Sequence, residues 1–233
     1  MREIVLDTET TGVDPAKGDR IVEIGCVELV NHLPTGPQGH RRWYINPERF
    51  VPADAVAVHG LTDQFLADKP VFAQIAGEFL EYIGDADLII HNAQFDIGFL
   101  NMELGRLGLP PIDKGRKVVD TLRLARERFP GAQASLDALC KRFGIDNANR
   151  ILHGALLDSQ LLAEVYIELL GGRQQGLGLT ASGTKGSAGP ARRVREVRPP
   201  RPHAPSAEEL EAHTALLKSL KNPVWLEEAE GTA

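Results

Sequence analysis

The sequence predicts an α/β protein: a mixed sheet flanked by helices, followed by a flexible linker and a short C-terminal helix. Three observations lead there. Strand-like runs come first and helix-like runs follow with one more strand among them, the order of a sheet covered by helices. Apolar residues in the later runs recur at three- and four-residue spacing. After Gly172 large apolar residues nearly vanish, and helical order returns only near residue 206.

Taken in order, residues 4–6 are an apolar run ending in Asp7-Thr8-Glu9-Thr10-Thr11-Gly12, which reads as a strand entering a loop. Residues 20–30 alternate apolar and polar, and residues 41–45 are β-rich after a Pro/Gly-rich connection at 33–39. These predict three neighbouring strands joined by short turns. Phe72, Ile75, Phe79 and Leu80 give residues 70–83 helical spacing. Residues 88–91 form a fourth strand, and residues 95–107 a helix closed by Gly108. Residues 135–143 make another helix, stopped by Gly144, and residues 154–170 a long one ending at Gly171-Gly172. The expected organisation is a folded domain at 1–172, a linker at 173–205 and a tail at 206–233.

With 233 residues the chain is long enough for one compact domain plus extra chain, and it can bury a core without disulfides or structural metal. The net charge is −6, from 26 basic and 32 acidic residues. That balance does not mark a nucleic-acid binder, but it says nothing about a local site. Cys26 and Cys140 stand far apart in no C-x-x-C pattern, which argues against a disulfide framework and a thiolate zinc site. The first residues, Met-Arg-Glu-Ile-Val-Leu-Asp, carry charges where a signal peptide needs an apolar run. No stretch approaches the roughly 20 apolar residues of a membrane span. The expectation is a soluble, cytoplasmic protein.

The chemistry lies in carboxylates. On a strand, residues i and i+2 project from one face, so Asp7 and Glu9 point to one spot, a costly pairing unless a cation lies between them. A solvated strand end is the plainer account of that triplet alone. Two further acids change the balance. Asp96 follows the fourth strand at the start of a helix, and Asp158, with His153 before it, lies on the apolar side of the last helix among Leu157, Leu161 and Leu162. Singly, Asp96 reads as a helix cap and His153 as a surface residue. Together, Asp7, Glu9, Asp96 and Asp158 are four hard oxygen donors, a set that suits Mg²⁺ or Mn²⁺. Two such ions about 3.5–4 Å apart would neutralise the cluster and grip a phosphodiester. His153 could accept a proton from water, since histidine's unperturbed pKa of about 6.5 suits a general base near neutrality.

The order Asp-x-Glu, Asn-x-x-Phe-Asp, His-x-x-x-x-Asp resembles the DEDDh exonucleases, whose fold is ribonuclease-H-like. The similarity spans roughly residues 3–170. Val5-Leu6-Asp7-Thr8-Glu9-Thr10-Thr11-Gly12 and Ile90-His91-Asn92-Ala93-Gln94-Phe95-Asp96-Ile97-Gly98-Phe99 look like the branch of that family that proofreads for bacterial replicative polymerases. The resemblance implies a 3′–5′ exonuclease on DNA that releases monophosphates, with Asp7, Glu9, Asp96 and Asp158 as metal ligands and His153 as base. Val58-His59-Gly60-Leu61-Thr62, with Asp54 upstream, is similar to the family's segment beside the terminal nucleotide, which implies substrate contacts by Asp54 and His59 as well as Asp7, Glu9 and Asp158. The residues themselves predict only a surface turn before a helix there. Thr8 and Thr10 are further candidate donors to the substrate.

Three other readings stand beside this one. A DEDDh enzyme acting on RNA shares the catalytic set. A non-catalytic module with this fold would lack one of the carboxylates, and none is missing. A metal-independent phosphatase or esterase would need a Ser or Cys nucleophile in a recognisable elbow.

Residues 180–205 carry six basic residues, Lys185, Arg192, Arg193, Arg195, Arg198 and Arg201, against the single acid Glu196. They predict a flexible basic linker. At its start, Gln174, Leu177 and Leu179 form a Gln-x-x-Leu-x-Leu string that resembles peptides binding the bacterial sliding clamp. Beyond it, Ser206-Ala207-Glu208-Glu209 is a capping box, and Leu210, His213, Leu217 and Leu220 follow as one stripe, with Trp225 in an apolar cluster after Asn222-Pro223. So short a helix is marginal in water and calls for a surface to cover. The resemblance implies the catalytic alpha subunit of the replicative polymerase, with Trp225 as an anchor.

Overall fold

Strand β1 (Arg2–Thr10) explains the architecture. Ile4, Val5 and Leu6 are consecutive and all fully buried, so both faces of the sheet are covered. In the computed structural model, which describes residues 1–148, 150, 152–172 and 204–220, β1 pairs antiparallel with β2 (Ile21–Val30) and parallel with β5 (Asp87–Ile90). The short β3 (Leu33–Pro34) and β4 (His40–Tyr44) pair antiparallel with β2, and β6 (Val118–Asp120) runs parallel to β5. The order is β3-β2-β1-β5-β6, with β4 also on β2.

Alternation along β1 divides the core. Ile4 and Leu6 join Ile24, Trp43, Phe79, Phe99 and Leu100 on one face, under α3 (Phe72–Ile83) and α4 (Ala93–Arg106). Val5 joins Val27, Ile89, Leu139, Leu162 and Tyr166 on the other, under α6 (Leu136–Phe143) and α7 (Ala155–Leu169). This is the expected mixed sheet between helical layers, the ribonuclease-H-like arrangement.

Helix ends follow local chemistry. Ser135 caps α6 by accepting from the Ala138 N–H, and Gly144 closes it in the left-handed region. Asn92, with φ of 64°, turns the chain sharply from β5 into α4.

Several expectations need correction. The strand does not end before Asp7 but runs to Thr10, because β2 supplies partners through Glu9↔Glu23 and Thr10↔Ile21. The segment around His59 is a helix, α1 (Ala53–His59), not a surface turn; Val51 and Leu61 bury against Val22 and Leu66 beneath it. Helix α2 (Asp63–Leu66), strand β6 and helix α5 (Thr121–Arg128) were not expected at all.

The chain divides into two compact units, residues 1–180 and residues 181–233. In the second unit, α8 (Ala207–Ser219) begins with the reciprocal capping box of Ser206 and Glu209. Leu210, Leu216 and Leu220 are exposed and Leu217 is half-buried. The helix stops at Ser219, before Asn222-Pro223. Gln174, Leu177, Leu179, Trp225 and most of the linker lie outside the described residues. No helix among the described residues is long and apolar enough to cross a membrane.

Candidate active site

The carboxyl ends of the adjacent parallel strands β1 and β5 form the crevice where open α/β sheets hold ligands. Asp7 and Glu9 share the face of β1 that carries Val5 and packs under α7. Thr8 faces the opposite way, and its hydroxyl donates to Asp96 Oδ1 at 2.7 Å, fixing that carboxylate in the first turn of α4. Asp96 therefore does not cap the helix; Asn92 precedes the helix at the cap position. Asp158 sits in the first turn of α7, buried to 4% exposure.

Helix α7 reaches the sheet because Gly25, opposite Asp7, has no side chain. A Cβ there would lie 2.1 Å from the Ala155 carbonyl carbon. The Ser159 hydroxyl donates to Gly25 O at 3.0 Å and the Ala155 N–H to Glu23 Oε2 at 3.3 Å, tying the helix start to β2. His153 is held by its backbone N–H, which donates to Val58 O at 3.0 Å, leaving a half-exposed imidazole.

All five residues, Asp7, Glu9, Asp96, His153 and Asp158, line one cavity of about 160 Å³. Ligand atoms of Glu9, His153 and Asp158 lie within 4.8 Å of one another. The electrostatics are those of a cluster short of positive charge. Burial, then the charges of Asp96, Glu9 and Asp158, hold the Asp7 carboxyl well above the usual range. Burial and Asp158 push Glu9 up to about 8. Burial pushes Asp96 to about 7 against the Thr8 hydroxyl, which favours the charged form. Cys26, beside Asp7, stays a thiol, since burial and the Asp7 charge push its pKa up.

A larger cavity of about 520 Å³ adjoins the first, sharing Thr8, Glu9 and Phe95, and is lined also by Val13, Asp54 and His59. His59 Nδ1 accepts from the Leu61 N–H at 3.0 Å, so the proton rests on Nε2, which is itself buried. Burial lowers the His59 pKa, keeping the ring neutral. Asp54 is an exposed residue at this cavity. The hydroxyls of Thr8 and Thr10 do not face a substrate as free donors: the first is bound to Asp96 and the second donates to Gly12 O at 2.5 Å.

Sequence reasoning missed Arg150. Its Nε donates to Asp158 Oδ1 at 2.6 Å, its Nη2 to Asp158 Oδ2 at 2.7 Å, and its Nη1 to Asp137 Oδ1 at 2.7 Å. The only signal was a basic residue three positions before His153. Glu23, buried against the start of α7, was missed too, with nothing in its strand to mark it.

The exonuclease family model (RNase T type) matches residues 4–166. The DNA polymerase III epsilon subunit of Rickettsia felis is 58% identical over 176 residues, 75% of this chain and 76% of the relative. That of Escherichia coli K12 is 52% identical over 178 residues, 74% and 72% of the two chains. Among solved structures, exonuclease X in complex with 5′ overhanging duplex DNA superposes with a TM-score of 0.57 at 27% identity, covering 72% of this chain and 90% of that one. The nuclease domain of 3′hExo, a DEDDh family member bound to rAMP, has the same fold, with a TM-score of 0.63 at 20% identity, covering 72% and 91%.

Proposed function

The chain belongs to the DEDDh exonuclease family that includes the epsilon subunits of bacterial DNA polymerase III, and on that premise we propose that it proofreads replicative DNA synthesis by removing nucleotides from the 3′ end. The observation that carries the catalytic part is the convergence of Asp7, Glu9, Asp96, Asp158 and His153, from three secondary-structure elements and a loop, on one cavity beside a nucleoside-sized pocket.

The donor set fits divalent metal. Four carboxyls share one cavity; burial pushes Asp7, Glu9 and Asp96 upward and neighbouring carboxylates push Asp7 and Glu9 further, so they need positive charge before they can ionise together. Asp7, Glu9, Asp96 and Asp158 would hold Mg²⁺ or Mn²⁺, and two ions supply an activated water and stabilisation of the leaving 3′-oxygen. His153 takes the proton from the attacking water at its imidazole nitrogen, and its half-exposed position lets it pass that proton to solvent. The larger cavity, lined by His59 and by the exposed carboxylate of Asp54, seats the terminal nucleoside. A mismatched end frays more readily than a paired one, so a pocket accepting a single strand removes errors first.

Two tethers complete the reading. The α8 tail, with Leu210, Leu217 and Trp225, docks on the polymerase alpha subunit, and Gln174, Leu177 and Leu179 bind the sliding clamp. The exposed leucines of α8 support the first. Digestion of a 3′-mismatched primer–template beside a matched RNA strand, with Mg²⁺ or with chelator, tests the enzyme. Metal-dependent loss of the mismatched DNA end is expected; faster loss of RNA, or cleavage in chelator, would overturn it.

A further inference from the structure

Arg150 is the lysine or arginine that, among the described residues, lines the acid cavity. Its side chain is 7% exposed and its guanidinium makes a fork onto both oxygens of Asp158. The same Nη2 that holds Asp158 Oδ2 also lies 2.8 Å from His153 Nδ1; since a guanidinium can only donate, Nδ1 is the acceptor. The remaining arm, Nη1, reaches outward to the exposed Asp137 on α6, which also accepts from Asn147 Nδ2 at 3.0 Å.

This geometry conflicts with metal binding. A dication on either Asp158 oxygen would stand within about 4 Å of the guanidinium, where like charges repel strongly. The two therefore compete for one carboxylate. We propose that Arg150 is a built-in counter-cation of the metal-free site, which an arriving divalent ion displaces from Asp158, and that this displacement frees His153 Nδ1 in the same step. The inference rests on the metal reading above and extends it: Arg150 is neither ligand nor base, but a positioning residue that keeps the base masked until metal is present. Asp137, at the rim, retains the released guanidinium.

A structural clip between α6 and α7 would make a different prediction, and calorimetry on the full chain separates them. Arg150→Gln removes the competitor, so Mn²⁺ should bind at least about tenfold more tightly than to the wild type. Its melting temperature in chelator should fall, widening the gap between chelator and Mn²⁺. Arg150→Lys, which keeps charge without the fork, should fall between. As a second measurement needing no variant to fold, the Arg150 Nε–H resonance should be protected from water exchange in chelator and lose protection on saturation with Mg²⁺. Metal affinity in Arg150→Gln that is unchanged or weaker than wild type, or an Nε–H that stays protected at saturating Mg²⁺, overturns the proposal alone. Absence of metal binding in the wild type overturns the metal reading and the proposal with it.

Discussion

Gly25→Ala tests how helix α7 delivers Asp158 to the strand carboxylates. The added Cβ would lie 2.1 Å from the Ala155 carbonyl carbon, 2.2 Å from the Leu156 nitrogen and 2.3 Å from the Ala155 oxygen, all backbone atoms with no rotamer to yield. Ordinary carbon contacts lie at about 3.5–4.0 Å, so the first turn of α7 must retreat by roughly 1.5 Å. That strains the Ser159–Gly25 and Ala155–Glu23 hydrogen bonds and carries Asp158 away from Glu9. Overpacking costs about 1–3 kcal/mol, or roughly 2–12 °C in melting temperature for a domain of this size. A displacement of about 1 Å at a reacting centre costs about 10²-fold in rate, so activity should fall far more than stability. Circular-dichroism melting and turnover on a single-stranded oligonucleotide read the two effects. A variant melting within about 1 °C of wild type with more than half its turnover would refute the argument that this close approach builds the site.

The metal-free protein should lose stability as pH rises. Glu9 binds its proton more tightly folded than unfolded, so its contribution is present below about 4.5 and lost as pH rises through about 8. Melting in chelator across that window should show the decline, and Glu9→Gln should make it shallower, leaving the part carried by Asp7 and Asp96; parallel curves would contradict the assignment. Alanine at Asp7, Glu9, Asp96 or Asp158 should nearly abolish cleavage, whereas His153→Ala should cost about 10²–10⁴-fold while keeping most of the Mn²⁺-induced melting shift. The roles are wrong if His153→Ala loses that shift and Asp158→Ala keeps it. Deleting residues 206–233 should spare cleavage of free primer and abolish co-purification with the polymerase alpha subunit, and a peptide of residues 172–181 should bind the sliding clamp in calorimetry. Unchanged polymerase affinity, or a peptide silent at millimolar concentration, would place the tethers elsewhere.

The site was legible where chemistry and pattern agree. Asp7 and Glu9 are two apart on a strand, and Asp158 interrupts an apolar helical stripe, so each announces a buried charge. The long helices were legible for the same reason: Ser135 with Gly144, and Gly171-Gly172, punctuate periodic apolar runs. What escaped was tertiary. Helix α1 reads Ala-Asp-Ala-Val-Ala-Val-His, too short for a helical period to emerge, and its half-buried Ala55 and Val56 pack on Val22 and Leu66 from elsewhere in the chain. Strand β6 is three residues long and exists because β5 offers it an edge. Arg150 looks like any loop arginine until the fold places it between Asp137 and Asp158.

In the proposed function Asp7, Glu9, Asp96, Asp158 and His153 hydrolyse the 3′-terminal phosphodiester of DNA with divalent metal. Chromatography of the products from a 3′-mismatched primer–template, with Mg²⁺ and then with chelator, tests it most directly. The mismatched nucleotide is expected to leave first as a nucleoside 5′-monophosphate, chelator to stop its release, and Asp7→Ala to yield none. Internal fragments, 3′-monophosphates, release in chelator or undiminished release by Asp7→Ala would contradict it.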